Sequence, residues 1–230
     1  IAGLTRSGLV LSSRPIDMQL SADLSSNDLE ARGIIREGGS ERGRVQLRIS
    51  ELGGSSDLMQ RLRAGRLLGQ LRYAGPADAL WRLTGVEIFD LSGPVAVAAD
   101  MSGNIDDPVL RGSFSSDGAR LQSGLIGADV TSIRARGRFA ASQLTLTSFS
   151  GRAGDGTVSG SGTIDLSNLS TRGVGMDLRL AARGAALIRR DDLAATVTGP
   201  LRITSDGSGG VIAGRLTVDR GRWQLGAAAA

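Results

Sequence analysis

Apolar and polar residues alternate with a period of two through most of the chain, as in Val95-Ala96-Val97-Ala98-Ala99-Asp100-Met101 and Gln143-Leu144-Thr145-Leu146-Thr147. That is the period of a half-buried strand, whose successive side chains leave opposite faces of a sheet. The pattern predicts strands near 7–12, 16–24, 29–36, 43–50, 66–73, 94–102, 109–115, 119–124, 130–139, 143–150, 156–166, 174–183, 193–204, 210–218 and 222–226. Turn formers separate them: Ser26-Asn27-Asp28, Gly38-Gly39-Ser40, Asn104 to Pro108, Asp117-Gly118, Asp155-Gly156, Ser167-Asn168 and Asp206-Gly207. Asp-Gly pairs supply the positive φ angles of tight hairpins, and strands joined this closely pair mainly antiparallel. The fold class is therefore all-β, and an open twisted sheet of about fifteen strands curls or closes.

Two segments break the alternation. Asp57-Leu58-Met59-Gln60-Arg61-Leu62 follows Ser55-Ser56 as an N-cap signal and sets Leu58, Met59 and Leu62 on one helical face. Pro76-Ala77-Asp78-Ala79-Leu80-Trp81 predicts a second short helix opened by proline. A plug over one end of the sheet is the simpler role for these helices, and a gate is the other. No long polar linker divides the chain, so residues 1–230 are expected to form one continuous sheet, with a weak subdivision into 1–92 and 93–230 at Gly93-Pro94.

Composition sharpens this picture. The chain has 34 Gly, 4 Phe, 2 Trp, 1 Tyr, no Cys and no His, so Leu, Val, Ile and Ala must close whatever core exists. All 27 basic residues are Arg, against 23 acidic ones, and Arg134, Arg136 and Arg138 fall on one face of a predicted strand. Arg suits phosphate, yet the interspersed acids favour a solvated outer face, and no nucleic-acid partner is expected. No run approaches the roughly 18 apolar residues of a membrane-spanning helix, and no signal segment opens the chain. The chain begins at Ile1 without Met and is expected to be a segment of a longer protein, with any anchor outside it. The absence of Cys fits an exported bacterial protein.

The missing residue types also bound the chemistry. Without His and Cys there is no Ser-His-Asp or Cys-His catalysis and almost no zinc chemistry, and without Lys there is no Schiff base. Asp106-Asp107 and Asp191-Asp192 offer paired carboxylates, but each adjoins a turn, where capping explains it better than glycoside chemistry. Gly151 to Gly156 and Asp206 to Gly210 resemble calcium-binding nonapeptide repeats, yet nothing recurs at nine residues, so they read as hairpin turns. No catalytic residue, metal or cofactor is expected, and the chain is not expected to be an enzyme.

What remains is the apolar face. Strand parity gathers Val95, Val97, Ala99, Met101, Phe114, Leu121, Phe139, Leu144 and Leu146 on one surface. The same surface continues through Ile164, Leu166, Leu178, Leu180, Val197, Leu201, Ile203, Leu216, Val218, Trp223 and Leu225. Fifteen strands about 4.8 Å apart would make a stripe about 70 Å long, which cannot stay in water. Either it is the dry core of a sandwich or β-helix, or it is an open groove filled by acyl chains. The scarcity of rings favours the groove, because small side chains closing a wide sheet leave voids.

The segment from Gly93-Pro94-Val95 through Met101-Ser102-Gly103-Asn104-Ile105-Asp106-Asp107-Pro108-Val109-Leu110-Arg111-Gly112 resembles a repeating unit of TamB-like proteins of the bacterial translocation and assembly module, within the AsmA-like bridge-type lipid-transfer superfamily. Gly154 to Gly162 with Thr163-Ile164-Asp165-Leu166 is similar to that family's Gly-rich hairpin, and Ala185 to Leu201 with Gly214 to Gly221 is similar to a later segment. The resemblance covers 93–226 best. It implies a taco-shaped β-groove in the periplasm, an inner-membrane anchor outside this chain and an Omp85-type, TamA-like outer-membrane partner. It further implies phospholipid transport along the trough, or a scaffold for outer-membrane β-barrel and autotransporter assembly. The twenty face residues are then the lipid-binding groove. A closed, adhesin-like β-helix is the third reading, with a dry interior and no lipid.

Overall fold

A computed structural model describes residues 5–6, 9–10, 16–81, 89–167, 173–190 and 192–224. In chain order the elements are β1 (Thr5–Arg6), β2 (Leu9–Val10), β3 (Ile16–Leu24), β4 (Leu29–Glu37), β5 (Ser40–Ser50), α1 (Leu58–Ala64), β6 (Arg66–Pro76) and α2 (Ala77–Trp81). There follow β7 (Asp90–Ser92), β8 (Pro94–Gly103), β9 (Pro108–Ser123), β10 (Ala128–Ala140), β11 (Gln143–Ala153), β12 (Gly156–Asp165), β13 (Gly175–Arg189), β14 (Leu193–Asp206), β15 (Gly210–Gly214) and β16 (Thr217–Trp223). Apart from the β1–β2 pair, the strands form one sheet in the order β15-β14-β13-β12-β11-β10-β9-β8-β6-β5-β4-β3, with β16 on β14 and β7 on β9. Its order does not return on itself, so the sheet is open, and the all-β antiparallel class predicted from the alternation is the class observed. Parts of the predicted strands 7–12 and 222–226, and Asn168 of one predicted turn, lie outside the described residues.

The differences from the predicted strands have local causes. Asp117-Gly118 is not a hairpin but lies inside β9, where Gly118 takes φ +99 and the buried positions change from even to odd numbers. A left-handed glycine of this kind is a bulge that bends a strand without ending it. The predicted 210–218 strand splits instead, into β15 and β16, which lie end to end along β14 and flank Gly199-Pro200. Pro200 has no N–H to donate, so the ladder breaks beside it. β7 and β8 share β9 in the same way, with Gly93 (φ +87) between them and Pro94 opening β8.

The chain divides into two compact units, one of residues 1–75, 95–114 and 138–143, the other of 76–94, 115–137 and 144–230. In the first, the hairpins between β3, β4, β5 and β6 stack the rungs Leu24–Leu29–Ile49–Leu67, Ala22–Ala31–Leu47–Gly69, Leu20–Gly33–Val45–Leu71 and Met18–Ile35–Gly43–Tyr73. The turn between β4 and β5 is Gly38-Gly39, both at positive φ as its tightness requires. Ile49, Leu52 and Leu67 are the buried cluster, with Leu29, Leu47 and Leu62 packed against it. Leu62 comes from α1, which Asp57 caps by accepting the Met59 N–H at 3.0 Å. Arg61 holds the helix down by donating to Gly53 O at 2.9 Å and to Ser26 O. Ser55 is not the cap, though its hydroxyl accepts the Asp57 N–H, and Leu58 and Met59 turn to solvent while Leu62 alone faces the cluster. Ile49 is 2% exposed, so Ile49→Val should lower stability by about 1 kcal/mol with the slope of a urea titration unchanged.

In the second unit β12, β13, β14 and β15 give the rungs Gly162–Leu178–Ile203–Ile212 and Gly160–Leu180–Leu201–Gly214. Beyond them Val158 faces Ala182, and Ala185 faces Val197 after a bulge at Gly184 (φ +53). Short α2 is tied in by Ala77 N–H to Gly93 O at 2.7 Å, and Trp81 Nε1 donates to Phe89 O at 2.7 Å.

Candidate functional site

Each unit has one apolar and one polar sheet face, set by the register. In the first unit the polar face carries Asp23–Glu30–Arg48–Leu68 and Ser21–Arg32–Gln46–Gln70. In the second it carries Thr163–Asp177–Thr204 and Ser161–Arg179–Arg202. Here Arg202 grips Asp177 with two bonds of 2.8 Å, and Arg120 grips Asp129 with two of 2.7 Å. Arg134 reaches Asp117 at 3.0 Å, and Arg134, Arg136 and Arg138 are all exposed, which fits the solvated face expected of them. Asp106 and Asp107 sit in the β8–β9 turn, where the Asp107 N–H donates to Asn104 Oδ1 and Arg63 lies 3.7 Å from Asp106. Asp192 pairs with Arg190 at 3.0 Å, and Asp191 lies outside the described residues. No group of three metal-ligating side chains occurs among the described residues.

These pairs make stability acid-sensitive. Arg202 holds the Asp177 carboxyl below the usual carboxylate range, Arg120 does the same for Asp129, and the Ser167 and Ser208 hydroxyls and amides depress Asp165 and Asp206. A depressed carboxyl stays ionised in the folded chain while the unfolded chain takes up its proton near pH 4, so the stabilisation is complete above that value. It is lost as pH falls through the folded-state values. The urea midpoint should be level at pH 5 and above and should decline steadily from about pH 4 downward.

The apolar face is where the predicted groove residues fall. In the first unit Val95, Val97 and Ala99 of β8 are buried and Met101, Phe114 and Phe139 are half-buried. In the second, Leu144, Leu146 and Val197 are buried, and Leu121, Ile164, Leu166, Leu178, Leu180, Leu201 and Ile203 are half-buried. The register sets Leu178 opposite Ile203 and Leu180 opposite Leu201, so these four share one patch. Leu216, Val218 and Trp223 are exposed, Trp223 at 75%, and Leu225 lies outside the described residues.

Strand parity missed other members of the same faces. Residues before 93 supply Leu20, Ile35, Val45, Leu47, Ile49, Leu67, Leu71 and Tyr73, of which Val45, Leu47 and Ile49 are legible in the alternation Val45-Gln46-Leu47-Arg48-Ile49 and Leu67, Leu71 and Tyr73 in 67–73. Val130, Ile133 and Ala135 of β10 change parity at Ser132 (φ +51), and Ala182 and Ala185 do so at Gly184. No sequence signal marks the bulge at Ser132, whereas Gly184 follows Arg183 as an interruption in a strand pattern.

Glycines shape the relief of this face. A Cβ on Gly160 would lie 2.6 Å from Leu180 Cδ2, one on Gly162 2.9 Å from Leu178 Cδ2, and one on Gly137 2.8 Å from Leu144 Cδ1. In the first unit a Cβ on Gly69 would lie 2.8 Å from Met101 Cε, and one on Gly43 2.8 Å from Tyr73 Cδ2. Large apolar side chains thus lie over glycines of the neighbouring strand. Side chains lying flat in this way cover the sheet backbone with few rings, which is how a chain with 34 Gly and seven aromatic residues builds an apolar surface.

Residues 147–229 match the family model described as the TamB C-terminal domain. Over residues 147–229 the chain is TamB-like. The matched stretch holds most of β11 together with β12 to β16, and therefore the Leu178–Ile203 and Leu180–Leu201 patch. TamB proteins belong to the translocation and assembly module, and with residues 93–146 the chain carries the resemblance noted above upstream of the match. No curated protein and no solved structure matches the chain. No helix among the described residues of this TamB-like chain is long and apolar enough to cross a membrane.

Proposed function

We propose that the apolar faces of this TamB-like chain carry the acyl chains of phospholipids through the periplasm, between inner and outer membranes, in support of outer-membrane biogenesis. The observation that supports this most is the incomplete cover of those faces. In the second unit Leu178, Leu180, Leu201 and Ile203 are only half-buried and Ile212, on the Leu178–Ile203 rung, is more than half exposed, as are Met18 and Leu20 on the apolar face of the first unit. An acyl chain laid there gains about 0.8 kcal/mol per buried methylene wherever it lies. Many similar weak contacts permit sliding, which a single tight site would stop. On this reading residues 1–230 act as one continuous segment of a larger protein. The groove is formed by the residues named above, the partner is a TamA-like Omp85 barrel, and the inner-membrane anchor lies outside the segment. The chain performs no catalysis and needs no cofactor.

A photoreactive residue at Leu180 in cells should capture phospholipid, and the same residue at the adjacent, outward Arg179 should not. Capture at neither position would reject lipid carriage. Capture of outer-membrane β-barrel protein at Leu180 would replace it by the scaffold reading, which the exposed apolar residues of the outermost strands, Met18 and Leu20 on β3 and Val218 and Trp223 on β16, favour.

A further inference from the structure

On the polar face of the second unit, the β11–β12 turn, the start of β12 and strands β13, β14 and β16 surround a depression of about 630 Å³. Its floor is made of the smallest residues available. Gly156 and Gly184 bring two backbones so close that a Cβ on Gly156 would lie 1.9 Å from Gly184 O, and Ala186 stands opposite Thr196. Three arginines line it. Arg220 stands opposite Thr196, Arg183 precedes the Gly184 bulge opposite Thr157, and Arg189 stands opposite Ala194.

The acids able to neutralise them are engaged or outnumbered. The bulge at Gly184 is locked by its N–H donating to Thr198 Oγ1 at 2.8 Å, and the Thr198 hydroxyl donates to Asp219 Oδ2 at 2.7 Å. Asp219 is thereby committed to the bulge, and Asp155 is the other carboxylate on the wall. Arg183 and Arg220 have neither a hydrogen bond nor an ion pair among the described residues, whereas Arg120, Arg134 and Arg202 of the same unit are each matched to an aspartate. Guanidinium forks around a small-residue floor suit an anion that offers several oxygens, and phosphate offers more than a carboxylate does.

We propose that this depression is a binding site for a phosphate group, held by Arg183, Arg189 and Arg220 above the Gly156–Gly184 floor. It lies on the face opposite the acyl-carrying one, so it does not rest on lipid carriage. Loss of lipid capture at Leu180 would leave it untouched.

Calorimetric titration of the 230-residue chain with inorganic phosphate at constant ionic strength should show saturable binding that chloride does not reproduce. Arg183→Gln and Arg220→Gln should each weaken it about tenfold, with the melting temperature unchanged because both side chains are exposed. Asp219→Asn keeps the acceptor for Thr198 and removes a negative charge, so it should bind phosphate at least as tightly. Equal affinity in the wild type and both arginine variants, equal heats with chloride, or weaker binding in Asp219→Asn with the fold retained would overturn the site. Phosphatidylglycerol vesicles that displace phosphate where phosphatidylcholine vesicles do not would identify a lipid headgroup as the source. If neither displaces it, the site stands and the source is a soluble phosphate.

Discussion

Leu180→Glu is expected to cut phospholipid capture by a photoreactive residue at Leu201 more than about tenfold while the sheet stays folded, because burying an unpaired carboxylate costs far more than one contact gains. The register places Leu180 directly opposite Leu201. Side chains so paired stand about 5 Å apart, so a carboxylate at 180 borders any acyl chain lying over 201. Such a chain would have to strip water from the charge or leave the patch, and either ends capture. The stability cost is modest for the same geometric reason. Leu180 is only half-buried, so the Glu stem can take its place over Gly160 while the carboxylate reaches water. Ser159→Glu, exposed on the opposite face, is the matched control and should leave capture unchanged. The dry-core reading predicts otherwise. There Leu180→Glu would bury its charge, the melting transition would collapse, and circular dichroism would report it before any crosslink was sought. A variant with native strand content and lost capture is consistent only with an accessible apolar face.

The fold class and part of that face were readable because a strand's period of two is rigid. Gln143 to Leu146 needed no further information, and Leu144 and Leu146 are buried where parity puts them. Parity fails at bulges, since one extra residue transfers every later side chain to the other face. Gly118 was read as a hairpin because Asp-Gly is a turn signal whether the chain reverses or only kinks, and the outcome depends on whether the next strand continues along the same neighbour. Ser132 carries a positive φ that no residue type announces. The break between β15 and β16 is caused by Pro200 on the neighbouring strand, a long-range effect that the local pattern at 210–218 could not express. The helix at 58–64 was legible from its polar start and spacing, but its cap, Asp57 in place of Ser55-Ser56, and the direction of its apolar residues were not. Leu62 is drawn to Ile49 and Leu67 by the tether of Arg61 to Ser26, which no periodicity encodes.

Gly160→Ala is expected to destabilise the chain by roughly 3 kcal/mol, near the upper end for overpacking, whereas Gly69→Ala should cost within about 1 kcal/mol. Both glycines lie in strands under large apolar neighbours, and neither needs a positive φ, so loss of backbone freedom does not separate them. What differs is the atom a new methyl would strike. At Gly69 the nearest is the terminal Met101 Cε at 2.8 Å, followed by Leu47 Cδ1 at 3.2 Å, and both side chains are half-buried with room to turn aside. At Gly160 the nearest is the Arg179 carbonyl oxygen at 2.2 Å, followed by Leu180 Cδ2 at 2.6 Å and Leu180 Cα at 3.0 Å. The methyl would press on the backbone of β13 itself. Relief there requires β12 and β13 to separate across the rungs that pair Ser161 with Arg179 and Gly160 with Leu180, which weakens the ladder hydrogen bonds on either side. Truncating the overlying side chain should therefore rescue neither fold nor stability at 160, and Gly160→Ala/Leu180→Ala should be no more stable than Gly160→Ala alone. At 69 the corresponding Met101→Ala background should erase the small cost. Urea denaturation of the four variants decides between backbone and side-chain control of strand spacing. Rescue of Gly160→Ala by Leu180→Ala would show that the leucine, not the β13 backbone, enforces glycine at that position.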